Sequence, residues 1–263
     1  MLTSLPTSSL FLWALSIALN LLLFLLIVLR SRYRLYPFFS AYLAINLLQT
    51  AVGLVSYSRF SFFSEKAYFI GWLSQAVVVL ARTCAAGEIC YRALGAYRGI
   101  WALASRIILA CAFVVLGLAL YFGRRGYETA FLTGEIGCEA FIATGIAGLF
   151  IFARYYEVSI PQPTSSLGMA LGLFSCFKIV NDVILENALR AHPIAWNNAG
   201  MVAFVAALVI WIAAVRQPAP LAHPQPRLSP VALYELVMPQ VNKRLADLNE
   251  HLIQFWDLDS QQP

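Results

Sequence analysis

What this sequence has least of is charge. Asp, Glu, Lys and Arg make up 12% of its 263 residues, where a soluble domain carries about 25%. Too few ions are present to clothe a surface that faces water on all sides, which excludes an ordinary soluble globule. Histidine is scarce as well. His192, His223 and His251 stand near a helix end and in the tail, no H-E-x-x-H occurs, and no cluster would hold zinc. The five cysteines, Cys84, Cys90, Cys111, Cys138 and Cys176, make no C-x-x-C pair and fall in apolar segments, where they read as small buried hydrophobes. No metal and no cofactor is expected. Lacking also a nucleophile–base pair, the chain is not expected to be an enzyme. The net charge of +5 forms no basic patch of the kind that nucleic acid requires.

Apolar length takes the place of charge. Hydrophobic residues reach 60%, and the mean hydropathy is +0.73. A helix crosses a ~30 Å hydrocarbon core with ~20 apolar residues. Residues 10–29 qualify, interrupted only by Ser16 and Asn20. No basic residue precedes them, and Arg30, Arg32 and Arg34 follow. That order is the reverse of a signal peptide and predicts an uncleaved helix with its N-terminus outside. Further segments at 36–57, 66–94, 100–122, 127–155, 165–190 and 193–215 qualify too. The expected fold is an all-α membrane protein of the cell (inner) membrane, a seven-transmembrane-helix bundle with its N-terminus outside and C-terminus inside. Arginine placement agrees: Arg92, Arg98, Arg106, Arg154 and Arg216 join the first three on the inner side, against Arg59, Lys66, Arg124, Arg125 and Arg190 outside. Trp13, Trp72 and Trp196 fall near outer ends and Trp101 and Trp211 near inner ends, as expected of interfacial indoles.

The tail is of another kind. Residues 217–230 read as a semi-rigid proline-rich spacer, and 231–258 as a cytoplasmic amphipathic helix before a disordered end at 259–263. Val241, Leu245, Leu248, Leu252 and Phe255 recur at 4-3-4-3 spacing and form one apolar stripe. Opposite it, Lys243, Arg244, Asp247 and Glu250 mix signs, whereas a membrane-surface helix is rich in Lys and Arg there. The stripe is therefore expected to dock on protein: a second copy, a cytoplasmic partner or the chain's own inner face.

Charge returns in one unexpected place. The stretch FKIVNDVILE, residues 177–186, lies inside the sixth apolar segment. Lys178, Asp182, Glu186 and Arg190 are spaced i, i+4, i+8, i+12 and wind slowly along one face of a helix, with Asn181 beside them. Glu135 and Glu139 are an i, i+4 pair in the fifth segment. Counted from the outer end, Glu139 lies ~18 Å deep. Lys178 reaches a similar depth and is expected to meet it, with Arg82 slightly deeper. Asn20, Asn46, Gln49, Gln75, Asn197 and Asn198 add neutral polar groups at these depths or shallower, and Glu88 with Arg92 reads as an interfacial pair nearer the inner end. A lipid-exposed charge at mid-bilayer costs at least ~2.5–3.5 kcal/mol, so these groups must face one another or water. Arg82 and Lys178 stand against Glu135, Glu139, Asp182 and Glu186. Either cations or water reach the site, or at least one acid stays protonated. The candidate ligand or ion site is thus Arg82, Glu135, Glu139, Lys178, Asn181, Asp182 and Glu186. The plainer reading is that these polar groups only hold helices together. Small residues support it: a GxxxG at Gly168 and Gly172, glycines 134, 137, 145 and 148 along the fifth segment, and Ala199, Ala203 and Ala207 in the seventh.

Several seven-helix families do not fit. The Schiff-base lysine of microbial rhodopsins sits in the last helix, whereas Lys178 is in the sixth. Glu88-Ile89-Cys90 stands where animal receptors carry an acid-Arg-aromatic motif, and NPxxY is missing. Pro161-Gln162 lies in a loop without the triple-helix repeat of PQ-loop transporters, and the histidines of ceramidase-like hydrolases are absent. Through YPFFSAYLAINLLQT (36–50) and GEICYRAL (87–94) the chain resembles a group of bacterial seven-helix membrane proteins of no assigned function. Three functional expectations follow from the residues. The first is sensing or ligand binding at the charged site, relayed to the tail helix. The second is cation- or proton-coupled transport, with Glu135, Glu139, Lys178 and Asp182 as the relay. The third is a non-catalytic membrane assembly subunit.

Overall fold

The structure, a computed structural model, describes residues 7–60, 64–124, 126–156, 158–187, 193–217 and 240–259; the side chains at 57, 184–187, 193, 196, 240–242, 244 and 255–259 lie outside that description. Among the described residues, seven helices are long and apolar enough to cross a membrane. They are α1 Thr7–Leu29, α2 Pro37–Arg59, α3 Glu65–Leu94, α4 Arg98–Gly123, α5 Tyr127–Tyr155, α6 Gln162–Asn187 and α7 Pro193–Arg216, and the tail forms α8, Gln240–Asp259. The linker expected at 217–230 and the first part of the expected tail helix fall almost wholly outside the described residues.

Local chemistry sets the boundaries. Pro37 opens α2 at the first helical position, where its missing N–H costs nothing. Ser64 caps α3 by accepting the Ala67 N–H at 3.3 Å, and Glu65 follows in the first turn, where a carboxylate suits the helix dipole. Gly126 enters α5 at φ +146°, a conformation side chains disfavour. Pro161-Gln162 is not a mid-loop motif: Gln162 is the first residue of α6.

Six helices close a ring in the order α1, α2, α3, α5, α6, α7, with α3 also touching α6, while α4 lies outside against α5. Close approach falls at particular glycines. A Cβ on Gly172 would sit 2.9 Å from Ile146, and one on Gly137 would sit 2.9 Å from Val115, so α6 meets α5, and α5 meets α4, through these positions. Gly145 and Gly148 are expected to pack likewise, but a Cβ on either would meet nothing within 4 Å.

We call the end of the bundle that carries the start of α1 the far end, and the opposite one the tail end. Much of the buried core lies toward the tail end, with Leu23, Ile27, Phe39, Leu43, Leu167 and Leu208 among its members. Trp211, expected at an interface, is fully buried there. Its Nε1–H donates to the Leu167 carbonyl at 3.2 Å, and Phe39 and Tyr42 meet it edge-on. Arg30 and Arg32, legible in the sequence only as charge, cap α7: Arg30 Nη1 donates to the carbonyls of Val215 and Arg216 at 3.2 and 2.7 Å, and Arg32 Nη2 to that of Gln217 at 2.6 Å.

Glu88 does more than pair with Arg92, whose Nη2 is 4.0 Å away. Its Oε2 accepts the N–H of Phe39 at 2.9 Å in the first turn of α2, so a carboxylate on α3 caps a neighbouring helix. Arg92 lies over the Tyr36 ring at 4.8 Å, and the Tyr36 hydroxyl reaches Thr164 at 2.8 Å. The stretches 36–50 and 87–94 therefore form one joint. Glu88→Ala is expected to cost about 2 kcal/mol, because it strands a buried amide, and Glu88→Gln, which keeps an acceptor, about half as much. Thermal unfolding in detergent distinguishes the two.

The tail helix packs chiefly on α4. The expected stripe needs correction. Leu245 is buried and Leu252 half-buried, but Leu248 is 39% exposed, and Asn249 is buried in its stead. The side chains of Val241 and Phe255 lie outside the described residues. Among the described side chains the docked face is Leu245, Asn249 and Leu252, with Asn249 Oδ1 accepting the Gly99 N–H at 2.8 Å.

Candidate functional site

Helical spacing aligns the polar residues before any packing occurs. Glu135 and Glu139 share a face of α5. Ser175, Lys178 and Asp182, at i, i+3 and i+7, share a face of α6. Gln75 and Arg82 stand seven apart on α3, as do Tyr42 and Gln49 on α2. Because α5 is flanked by α3 and α6, these faces converge into two layers.

The deeper layer is a sealed ion pair. Arg82 Nη1 is 2.5 Å from Glu139 Oε1, and both side chains are buried. The guanidinium lies 5.0 Å from the Phe174 ring centroid and 5.7 Å from that of Tyr42, which sets its charge against aromatic faces. Glu139 Oε2 and the Ser175 hydroxyl are also buried, and neither has a hydrogen bond of good geometry.

The second layer, about one helical turn nearer the far end, is more open. Lys178 Nζ lies 3.0 Å from Glu135 Oε1 and 3.2 Å from both Asp182 oxygens. Asn181 Nδ2 donates to Asp182 Oδ1 at 3.3 Å. Gln75 Nε2 donates to Glu135 Oε1 at 2.7 Å, and Gln49 Nε2 to Gln75 Oε1 at 2.8 Å. One chain of polar contacts thus runs from α2 through α3 and α5 to α6. Its ionic members are not sealed: the Lys178 side chain is 24% exposed, Asp182 11% and Glu135 8%.

Six of the seven candidate residues come together in these layers; Lys178 pairs with Asp182 along α6, as their i, i+4 spacing allows, but its partner on α5 is not the expected one. Lys178 bonds Glu135 rather than Glu139, and Glu139 belongs to Arg82. Glu186 lies in α6, but its side chain is outside the described residues, as is Arg190. Tyr42, Phe174 and Ser175 were not singled out in the sequence. The available signals were Ser175 three residues before Lys178 and Tyr42 seven before Gln49. Gln49 and Gln75 stood out only as polar groups at the right depth. Among the remaining polar residues, Asn198 Oδ1 accepts the Ser9 hydroxyl at 2.7 Å and ties α7 to α1.

Arg82 and Lys178 face three described carboxylates, Glu135, Glu139 and Asp182. Lys178 serves two of them, Glu135 and Asp182. An ammonium shared by two carboxylates is chemically able to exchange one of them for a cation or a donor-rich ligand, or to move between the two acids. Among the described residues, no group of His, Cys, Asp or Glu could hold a metal ion by itself. No family model, no curated protein and no solved structure matches the chain.

Proposed function

We propose that the chain is a multi-pass protein of the cell membrane, with its N-terminus outside and its C-terminus inside. In this reading the cluster around Lys178 is an outward-facing binding site for a small ligand or ion, and the tail helix reports its state on the cytoplasmic side. The apolar exterior supports the membrane reading. Large side chains such as Phe11, Leu29, Phe113, Leu120 and Ile151 are all more than half exposed, on a scale soluble monomers avoid. The arginines gathered at the tail end support the orientation. A single observation carries the site: Lys178 is shared by two carboxylates and stays the most exposed of the three, above an ion pair that is closed off. That floor favours a pocket open to one side over a path through the bundle.

Thiol accessibility tests this reading. With the five cysteines replaced, Asp182→Cys is expected to react with a membrane-impermeant reagent added to the outer side only, and Ser175→Cys, one layer deeper, with neither side. Labelling of position 182 from both sides would replace binding with transport. Its absence from both would return the cluster to a purely structural role.

A further inference from the structure

We infer that the cluster around Lys178 receives a small ligand carrying a primary ammonium group. That group takes the place of the Lys178 ammonium, while Lys178 turns one layer deeper, to Glu139 and Ser175. The inference rests on the binding-site reading above and names the class of ligand.

The site already holds a primary ammonium, the protein's own. Lys178 Nζ carries three N–H groups and lies 3.0 Å from Glu135 Oε1 and 3.2 Å from each Asp182 oxygen. Neutral donors steady the same acids: Gln75 Nε2 donates to Glu135 Oε1, and Asn181 Nδ2 to Asp182 Oδ1. Oxygens at this distance suit an ammonium. They stand too far out for Mg²⁺ or Ca²⁺, whose ligands lie at ~2.0–2.1 and ~2.3–2.6 Å.

A second set of acceptors lies beneath. Glu139 and Ser175 are both 0% exposed, and among the described residues Glu139 Oε2 and the Ser175 hydroxyl have no hydrogen-bond partner. Their surroundings are described: α3 and α5 throughout, and on α6 the side chains outside the description begin at 184, ~13 Å along the helix from Ser175. The contact between Lys178 and Glu135 joins the two faces on which these groups stand. Glu139 is one turn deeper than Glu135 on α5, and Ser175 one turn deeper than Lys178 on α6. A helical side chain leans over the turn that precedes it, which for Lys178 is the turn of Ser175. One ammonium thus has two sets of acceptors within reach and fills one of them.

The two moves need each other. A descending Lys178 alone would leave Glu135 and Asp182 without their cation and carry its charge toward Arg82. An incoming ammonium alone would meet a like charge in the place it has to occupy. Exchange removes both costs, so the ligand selects the lowered lysine and an empty site keeps it raised.

The chain has three lysines, Lys66, Lys178 and Lys243, so the full-length protein with carbon-13 at the lysine ε position gives three resonances, and Lys178→Arg assigns one of them. Methylammonium is the probe. Tetramethylammonium, which has no N–H, and potassium are the controls at equal ionic strength. The Lys178 resonance is expected to move saturably with methylammonium alone. Ser175→Ala should weaken that response about tenfold, by removing a hydrogen bond to the lowered lysine. An equal response to either control would overturn recognition of a primary ammonium, and a response unchanged by Ser175→Ala would overturn the move to the deeper layer. A resonance indifferent to methylammonium, in a protein whose Asp182→Cys variant is labelled from the outer side, would overturn the exchange and leave the site standing. Indifference together with no labelling would remove the site as well.

Discussion

Replacing Glu139 by leucine is expected to destabilise the bundle by about 3–5 kcal/mol, and replacing Arg82 by methionine in the same chain to restore most of that loss. The pair is closed off on every side: Arg82 Nη1 bonds Glu139 Oε1, both side chains are buried, and the rings of Phe174 and Tyr42 flank the guanidinium. Either single substitution leaves a full charge with neither partner nor solvent. Arg82→Met alone should therefore cost about as much as Glu139→Leu alone. The double variant removes both desolvation penalties and puts an unbranched thioether between two aromatic rings, a contact sulfur favours. A double-mutant cycle in detergent, read by thermal or denaturant unfolding, gives the coupling directly. A double variant as unstable as either single one would mean that the pair fixes geometry beyond cancelling charge. The buried Glu139 Oε2 and Ser175 hydroxyl would then be the next groups to examine.

The seven apolar helices were legible because length and hydropathy are local properties, and each segment carries them alone. The charged residues were legible as a group for the same reason: i, i+4 spacing fixes a face without reference to any neighbour. Their pairing was not. Depth counted from a loop carries an uncertainty of about one turn, ~5.4 Å, and one turn is the separation of Glu135 from Glu139. That slip is enough to give Lys178 the wrong acid. Nor could spacing reveal that α3 passes α4 and packs on α5, which is what gives Glu139 to Arg82. Trp211 failed in another way. Position along the chain places an indole near a helix end, but rotation about the helix axis decides whether it faces outward or the core. Arg30 and Arg32 read as topological charge because the carbonyls they cap lie far away in sequence. In the tail, a stripe drawn from apolar residues alone passed over Asn249, whose partner is a main-chain N–H that no side-chain pattern announces.

Trp211→Ala is expected to destabilise the bundle by about 3–5 kcal/mol, and Trp211→Phe by markedly less. Alanine at a fully buried tryptophan position leaves a cavity that surrounding helices close only in part, and it removes the hydrogen bond to the Leu167 carbonyl. Phenylalanine loses the hydrogen bond but keeps much of the packing against Phe39 and Tyr42. The larger consequence lies one layer up. Tyr42 touches Trp211 on one side and stands 5.7 Å from the Arg82 guanidinium on the other, so the indole supports the floor of the charged site from the tail end. In a chain carrying Ser175→Cys as its only thiol, Trp211→Ala should raise reactivity toward an impermeant reagent added at the tail end, and Trp211→Phe should not. A loss of stability with no change at position 175 would show the aromatic layer and the ion pair to be mechanically separate. A rise from the tail end would show that the aromatic layer, rather than the charge pair alone, keeps the site from opening to both sides.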